Sequence, residues 1–365
     1  MTLEVMTFRH PDEFPPDVRQ LFDNCEVHST ALGSSWYRNY VETVSASNGA
    51  ALFHVLRRDN MAIAAIAVMV HRAGWTLHRT VESLGNYYTT MYAPALAPSI
   101  SATELATLLR RLKHLHRPLA RLRLQPMDRD AESYKTLLDA LRVAGFHSFE
   151  FYCFGNWYLR NHVDWPTYLA QRGSKMRSNI KRAEKKLLQD AGSIELIADP
   201  QELQRGVQAY QQVYAASWKK PEPHPRFIPE LVAAFARRNW LRLGVIWLRG
   251  QPIAAQIWFV AHGRAEIFKV AYDESFKEYS PGTVLTAKLM EHAMQSDRVH
   301  EVDYLSGDDA YKKIWMSDRR ERFGIIAYNA WTVAGALGAI LEFTTRHAKA
   351  WMRGAQALWR TPKRG

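Results

Sequence analysis

Three consecutive apolar segments between residues 241 and 273 constrain the fold of this 365-residue chain more than any other feature. The segments LRLGVIWL, IAAQIWFVA and AEIFKVAYD have the length of strands, and tight turns join them. A helical segment follows, and then the strand HEVDYLS, the short helix AYKKIW and the strand RFGIIAYN. Strands joined by tight turns pair antiparallel, whereas parallel pairing needs a longer crossover such as a helix. This order predicts an α/β (α+β) fold with a mixed sheet.

The helix after the third strand begins with the sequence EYSPGTVL. Ser280 is a favourable N-cap residue, and Pro281 suits the first helical position, where no N–H is needed. Gly282 is harder to explain, because glycine costs about 1 kcal/mol inside a helix relative to alanine. A glycine is useful where another group approaches the backbone closely. Gly282 and the N–H groups of Thr283 and Val284 are therefore a candidate anion site, with a simply capped helix as the alternative.

The first half of the chain contains a similar order of elements. AALFHVLRR and MAIAAIAVMVHR predict two strands paired around the turn Asp59-Asn60. Ser101 and Glu104 have capping-box spacing at the start of a helix. The segments ARLRLQP, AESYKTLLDALRVAG and FHSFEFYCFGNWYL then predict a strand, a helix ended by Gly145, and one or two more strands.

This repeated order predicts two tandem domains, residues 1–160 and residues 161–329. The second domain is expected to open with helical material over residues 165–238. Residues 330–365 form an extension whose last twenty residues include six basic residues, no acidic residue and several large apolar ones. The extension is interpreted either as a basic amphipathic helix on a membrane surface or as a helix packed on the domain with a solvated basic face.

The formal net charge of +12 favours a polyanionic partner, whether nucleotide phosphates, tRNA or an anionic membrane surface. Cys25 and Cys153 lie far apart and fit no metal-ligand spacing, which predicts reduced thiols in a cytoplasmic protein. Neither a signal peptide nor a run of about 18 apolar residues is recognised. His114 and His116 are two residues apart on a predicted helix and do not face each other, so no metal site is predicted.

Several segments resemble a known family. Strand, glycine-bearing turn, helix, strand is the order that binds coenzyme A in the GNAT acyltransferase superfamily. SWKKPEPHPRF, QPIAAQIWFV, KVAYDESFKEYSPGTVL, VDYLSGDDAYKKIW and the basic segment KMRSNIKRAEKKLLQDAG resemble the acetyltransferase domain of the CelD/BcsL family, linked to bacterial polysaccharide biosynthesis. The resemblance covers residues 165–329 and is weaker in the first half. That family is similar to the Fem peptidyltransferases, which carry two GNAT-like domains and take amino acids from aminoacyl-tRNA.

The resemblance implies an N-acyltransferase or O-acyltransferase that uses acyl-CoA, either acetyl-CoA or a longer thioester. Its acceptor would be a small molecule or a lipid- or nucleotide-linked sugar of cell-envelope polysaccharide metabolism. The cofactor would bind the turn at Ser280, Gly282, Thr283 and Val284. The usual GNAT turn has Arg or Gln and two spaced glycines, whereas this chain has only Gly282 after a proline, so the donor stays open. Residues 97–100 in the first half contain no glycine, so the first domain is expected to be a degenerate cofactor site that contributes to the substrate cleft.

The resemblance also places a Tyr-Lys pair in the segment DYLSGDDAYKK. Asp303 is predicted to accept a proton or position the acceptor, Tyr311 to protonate the leaving thiolate, and Lys312 to offset negative charge. The alternative is helix capping by Asp308 or Asp309 with surface lysines.

Basic and aromatic side chains are candidates for binding the acceptor. Residues 172–186 hold seven basic residues against Glu184 alone, and such stacked like charges repel one another on a helix. The predicted substrate-binding residues are Lys175, Arg177, Lys181, Trp218, Lys219 and Asp308. A solvated helix face and a core tryptophan are the alternatives. Glu266 is a reserve base, and strand alternation predicts that Glu266 and Lys269 point to opposite faces.

Two other functions remain open. A Fem-like aminoacyl transferase would bind tRNA with an affinity that falls steeply with salt, whereas the acyl-CoA-dependent enzyme is not expected to bind nucleic acid. The lack of a coiled-coil arm counts against it. The other possibility is a non-catalytic basic protein that binds membrane or nucleic acid.

Overall fold

The computed structural model describes residues 2–45, 50–72, 78–160, 162–198 and 201–359. The chain divides into two compact units, of which unit 1 comprises Met1–Asn24, Ser47–Cys153 and Arg322–Gly365, and unit 2 comprises Cys25–Ala46 and Phe154–Glu321. The sequence-based bounds place all of residues 1–160 in one domain, whereas residues 25–46 group by contact with the second half. The C-terminal extension groups with unit 1.

Unit 1 is a mixed sheet with helices packed on it. Its elements are β1 (Leu3–Phe8), α1 (Pro16–Asp23), β2 (Ala51–Arg58), β3 (Met61–Arg72), β4 (Arg79–Ser83), β5 (Ala95–Leu96), α3 (Ala102–Leu115), β6 (Leu119–Asp128), α4 (Glu132–Val143) and α11 (Val333–Trp359). The sheet order is β1-β2-β3-β4-β6, and β5 pairs with β3. β4 and β6 pair parallel, and α3 connects them, as the order of elements predicts.

The predicted capping box at the start of α3 is present. The Ser101 hydroxyl accepts from the Glu104 N–H at 3.2 Å, and the Glu104 carboxylate accepts from the Ser101 N–H at 2.9 Å. Leu105, Leu109 and Leu112 then recur on one face and are fully buried. The local sequence therefore determines where this helix begins and which of its faces packs on the sheet.

Unit 2 repeats the arrangement. Its elements are α2 (Ser34–Tyr40), α5 (Trp165–Ala170), α6 (Ser174–Gln189), β8 (Gly192–Ile197), α7 (Leu203–Ala215), α8 (Phe227–Ala236), β9 (Leu241–Leu248), β10 (Gln251–Ala261), β11 (Arg264–Tyr272), α9 (Pro281–Gln295), β12 (Glu301–Asp303) and α10 (Ala310–Trp315). The sheet order is β12-β11-β10-β9-β8, and β11 and β12 pair parallel. The mixed sheets confirm the predicted α/β class.

Two long strands pass from one unit to the other along the chain: β7 (His147–Arg160) and β13 (Asp318–Tyr328). Residues 158–160 of β7 pair antiparallel with β12 inside unit 2. Residues 322–328 of β13 pair antiparallel with β6 inside unit 1. Each unit therefore completes its sheet with a strand from the other half of the sequence.

The prediction of helical material throughout residues 165–238 misses a strand. Residues 192–197 form the edge strand β8, which pairs antiparallel with β9 from Gly192↔Leu248 to Ile197↔Leu243. Ala191, at a φ of 61°, adopts the left-handed conformation just after α6. The neighbouring strand supplies the backbone partners here, and tertiary context of this kind overrides the weak local propensity of a six-residue segment.

Within the described residues, no helix is both long enough and apolar enough to span a bilayer.

Candidate active site

The parallel pair β11–β12 is short, and the two strands separate beyond it. They pair only between Arg264–Glu266 and Glu301–Asp303. β11 then continues to Tyr272 beside β10, while β12 ends at Asp303. Helix α9 begins nine residues after the end of β11, at Pro281. The separation of adjacent strands beside a helix start makes this end of the unit 2 sheet the candidate site.

A β-bulge changes which side chains of β11 face this site. In the β10–β11 register Lys269 lies opposite Ile257, and Ile267 lies opposite Trp258, so Phe268 is an extra residue. One extra residue reverses the alternation beyond it. The prediction that Glu266 and Lys269 point to opposite faces is therefore wrong. The bulge places them on the same face, where Glu266 accepts from Thr30 and Lys269 contacts Glu222.

Three lysines from separate parts of the chain interact here. Lys269 donates to Glu222 at 2.9 Å and is 7% exposed. The ring of Tyr214, on α7, lies 5.9 Å from the Lys269 nitrogen and 6.0 Å from the Lys219 nitrogen. Lys312, on α10, is 5% exposed and interacts electrostatically with Lys219.

Burial lowers the pKa values of all three lysines. Burial and, to a smaller extent, the charge of Lys269 lower the pKa of Lys219 to about 8, although Glu222 partly offsets both effects. Burial also lowers the pKa of Lys269 and of Lys312, against the opposing effects of Glu222 and Asp309. Several lysines with depressed pKa values in one place are typical of a functional site, because a bound anion would compensate their charge.

The predicted Tyr-Lys pair lies at this site. The Lys312 ammonium donates to the Ser306 carbonyl and pairs with Asp309 at 3.3 Å. Tyr311 is 47% exposed, and its ring lies edge-on to buried Tyr304 at 5.7 Å. Desolvation raises the pKa of Tyr311 to about 12, so its hydroxyl keeps its proton at neutral pH.

Asp303 lies at the end of β12 but has a different environment. It is 1% exposed, accepts from the Asn156 side chain at 2.5 Å and from the Leu305 N–H at 2.6 Å, and pairs with Arg320 and with Arg264 at 3.4 Å. A carboxylate that accepts this many hydrogen bonds and faces two guanidinium groups is already fully engaged inside the protein. This geometry favours a structural ion-pair centre over the predicted base.

The start of α9 differs from the sequence-based expectation. Ser280 is in the left-handed conformation (φ 46°), and its side chain makes no capping hydrogen bond, so the predicted hydroxyl cap is wrong. Its carbonyl instead accepts from the N–H groups of Thr283, at 3.0 Å, and Val284, at 3.1 Å. A Cβ on Gly282 would lie 3.1 Å from the ring of Tyr272. The close approach predicted for this glycine is made by an aromatic ring of the protein itself.

A buried polar network supports this turn from the sheet. Gln256 donates to the Gly282 carbonyl at 3.1 Å and to the Thr286 hydroxyl at 2.8 Å. The Trp258 indole donates to the Gln256 carbonyl oxygen at 2.9 Å. Because all these groups are satisfied inside the protein, the first turn of α9 is held rigidly against β10.

Comparison with known proteins identifies the domain. Residues 174–313 match the model of an acetyltransferase (GNAT) domain. This part of the chain has a GNAT acetyltransferase fold. The chain is also similar in fold to FemX, with a TM-score of 0.63 and 12% identity over 91% of this chain and 100% of that chain. A conserved protein of unknown function from Bacteroides thetaiotaomicron VPI-5482 gives a TM-score of 0.50 and 12% identity, over 84% of this chain and 91% of that chain. No curated protein matches the chain.

Within this GNAT domain, α6 carries the predicted basic row, and its members differ in their contacts. Arg177 donates to the carbonyl of Ala170, at 2.9 Å, and to that of Arg172. It therefore supplies hydrogen bonds to free carbonyl groups at the C-terminal end of α5. Lys175 and Lys181 are exposed. These two predicted residues can therefore meet a solvent-borne phosphate.

Two other predicted substrate-binding residues have partners in the GNAT domain. Asp308 accepts from Arg319 at 2.7 Å and from the Trp157 indole at 2.7 Å. Trp218 is 52% exposed and packs on Tyr272 with ring centroids 4.8 Å apart. Trp218 therefore covers the ring that lies against Gly282.

Sequence reasoning missed Glu222 as a partner of the lysines. The sequence feature that indicates Glu222 is its position as the single acidic residue of the segment KKPEPHP, two residues after Lys220. Glu266 was foreseen only as a reserve base. It is 3% exposed, and burial raises its pKa. Its hydrogen bonds to Ser29 and Thr30 could not be inferred, because those residues are more than 200 positions away.

Proposed function

We propose that this chain is an acyl-CoA-dependent N-acyltransferase or O-acyltransferase of the CelD/BcsL type, acting on a precursor of cell-envelope polysaccharide. The observation that carries the proposal is the convergence of Lys219, Lys269 and Lys312 where β11 and β12 separate in the GNAT domain. Acyl transfer generates negative charge on the carbonyl oxygen and on the departing sulfur. A cluster of partly desolvated cations stabilises such charge more strongly than solvent does.

The proposed reaction is a direct displacement. The acceptor nitrogen or oxygen forms a bond to the thioester carbonyl carbon, and the carbon–sulfur bond breaks in the second step. Tyr311 keeps its proton at neutral pH and is the proposed donor to the departing thiolate. Lys312 and Lys219 offset the charge of the tetrahedral oxyanion, and the proton of the acceptor passes to solvent.

The acceptor would be held by its phosphates. Lys175 and Lys181 on α6 are exposed cations, suited to a nucleotide-linked or lipid-linked sugar. Trp218, exposed beside Lys219, offers an aromatic surface for a sugar ring. These contacts would position the acceptor, whereas the lysine cluster would act on the reacting carbonyl.

Acyl-CoA binding at the start of α9 is tested with Gly282→Asp. Acetyl-CoA is expected to bind the wild-type protein in isothermal titration calorimetry. The variant is expected to bind at least about tenfold more weakly, because a carboxylate beside the one remaining N–H of the turn repels the diphosphate. Gln295→Asp, exposed near the other end of the same helix, adds the same charge and should bind normally. Undetectable binding to the wild type, or equal affinity in Gly282→Asp, would contradict an acyl-CoA donor.

A Fem-like aminoacyl-tRNA donor is the second candidate, and the turn itself favours it. Thr283 and Val284 already donate to Ser280, and Pro281 has no N–H, so Gly282 is left as the first-turn donor among the described residues. One N–H is a weak site for a diphosphate. If this candidate is right, charged tRNA binds in a gel-shift assay, with an affinity that falls steeply between low and physiological salt, and acetyl-CoA does not bind.

Lys219 should make ligand binding depend on pH. Its pKa of about 8 means that it is largely charged at pH 7 and largely neutral at pH 9. A bound anion favours the charged form, so affinity for an anionic ligand should fall by up to about tenfold per pH unit above pH 8. Calorimetry with acetyl-CoA from pH 7 to pH 9.5 measures this fall. This fall in affinity should be absent in Lys219→Met and retained in Lys220→Met, which changes the exposed neighbour. If both variants show the same fall, Lys219 is not part of the ligand-binding site.

A further inference from the structure

Helix α11 presents large apolar side chains to solvent. Val333, Leu337, Ile340, Leu341 and Phe343 are between 54% and 75% exposed. Trp331, two residues before the helix, is 89% exposed. A surface helix normally turns its apolar stripe toward the core, so this arrangement is the reverse of the usual one.

The opposite face of α11 is fixed against unit 1 by small and paired residues. A Cβ on Gly338 would lie 2.5 Å from the ring of Tyr328, and one on Gly335 would lie 2.1 Å from the Asn329 carbonyl oxygen. Arg346 donates to the Glu150 carbonyl at 2.7 Å and pairs with Glu342 at 2.7 Å. Turning the helix to bury its apolar face would bring branched side chains where only glycine fits. The outward direction of the apolar side chains is therefore set by the fold.

The exposed side chains form one continuous stripe. Val333, Leu337, Ile340 and Leu341 follow the spacing i, i+4, i+7, i+8, which places them on one side of a helix. Single exposed apolar residues are common on proteins, but a contiguous stripe of this kind marks an interaction surface. We call these four residues, together with Trp331, the apolar face of α11.

The charge of the following sequence indicates what the apolar face meets. From Phe343 to Gly365 the sequence contains no acidic residue and six arginines and lysines. A coiled-coil contact with a second copy would need apolar residues at the next seam positions, which are Thr344 and His347. Parallel copies would also bring two strongly basic segments together. An apolar face followed by a segment with basic residues and no acidic ones is instead complementary to an anionic lipid surface.

We infer that the apolar face of α11 binds the surface of an anionic lipid bilayer, with the helix lying in the plane of the headgroups. Trp331, Leu337 and Ile340 insert at the boundary between headgroups and acyl chains. The basic residues that follow in the sequence interact with lipid phosphates. This contact does not depend on the acyl-transfer chemistry of unit 2.

Flotation with vesicles tests the inference in the full-length protein. The vesicles are phosphatidylcholine alone, or phosphatidylcholine with about a third phosphatidylglycerol. The wild type should float with the anionic vesicles and at least about tenfold less with the neutral ones. Leu337→Glu should lose at least about tenfold of its binding to anionic vesicles. Circular dichroism should show both proteins equally folded, since Leu337 is exposed.

The matched control separates insertion from simple charge attraction. Thr345→Glu adds the same negative charge at an exposed polar position of the same helix. It should retain most of the binding, because it does not place a charge in the apolar face. Equal losses in Leu337→Glu and Thr345→Glu, or no flotation of the wild type, would overturn the inference. A wild-type dimer in light scattering that Leu337→Glu converts to monomer, without flotation, would assign the face to a second copy instead.

Discussion

Replacing Asp303 by alanine is expected to lower the free energy of unfolding by about 3–5 kcal/mol, the usual cost of removing one partner from a buried ion pair. Asp303 is 1% exposed and faces Arg264, at 3.4 Å, and Arg320. The substitution leaves the two partly buried guanidinium groups to share Glu301, which lies 2.9 Å from Arg264 and 2.8 Å from Arg320. It also removes an acceptor from Asn156 and from the Leu305 N–H. Urea denaturation followed by circular dichroism measures the change.

Asp308→Ala is the control for this prediction. Asp308 pairs with Arg319 at the surface, and such exposed pairs contribute about 0.2–1 kcal/mol. The difference between the two variants therefore reports the burial of Asp303 and not the loss of a carboxylate as such. If Asp303→Ala were as stable as the wild type but inactive, the original prediction of a proton-accepting role would be the better one.

Replacing Lys312 by methionine is expected to lower kcat/KM for acyl transfer by about 10²–10³-fold, similar to the loss of one oxyanion-stabilising group in other enzymes. Methionine keeps much of the buried volume and removes the charge. Lys312 is 5% exposed beside Tyr304 and Lys219, so its charge acts in a poorly solvated environment. Release of free thiol from acetyl-CoA, with a set of amino-sugar acceptors, measures the rate.

Lys313→Met provides the matched comparison, because Lys313 is the next residue on the same short helix and is exposed. It should keep nearly wild-type activity. Lys312 also donates to the Ser306 carbonyl, so the melting temperature of each variant should be compared with its activity. A loss of activity in Lys312→Met that follows its loss of stability, and that Lys312→Arg restores fully, would assign Lys312 to holding the loop and not to the reaction.

Local sequence was sufficient for the elements whose stability depends on their own residues. The capping box of Ser101 and Glu104, the turn at Asp59-Asn60 and the helix stop at Gly145 were each predicted from a few neighbouring residues. The strands of residues 241–272 were predicted as well, because their apolar runs are long and tight turns bound them. The edge strand β8 was missed, because its partner is more than 40 residues away in the sequence.

The candidate site was predicted only in part, for a related reason. Residue type and family resemblance pointed to Tyr311, Lys312 and Lys219, and the structure brings the two lysines into electrostatic contact. Sequence alternation gave the wrong face for Lys269, because the bulge at Phe268 depends on the strand opposite. The cap expected from Ser280 is absent, since the preceding turn leaves that residue in the left-handed conformation.

By itself, the sequence determined the class of fold, the order of its elements, the excess of positive charge and the position of a glycine whose backbone another group approaches closely. Only the tertiary structure decided that the ring of Tyr272 makes this approach, that Asp303 is enclosed by arginines, and that the apolar side of α11 faces outward. The physical reason is the range of the interactions. Hydrogen bonding and side-chain periodicity within a helix or hairpin act between near neighbours, whereas burial and charge pairing depend on residues that meet only when the chain has folded.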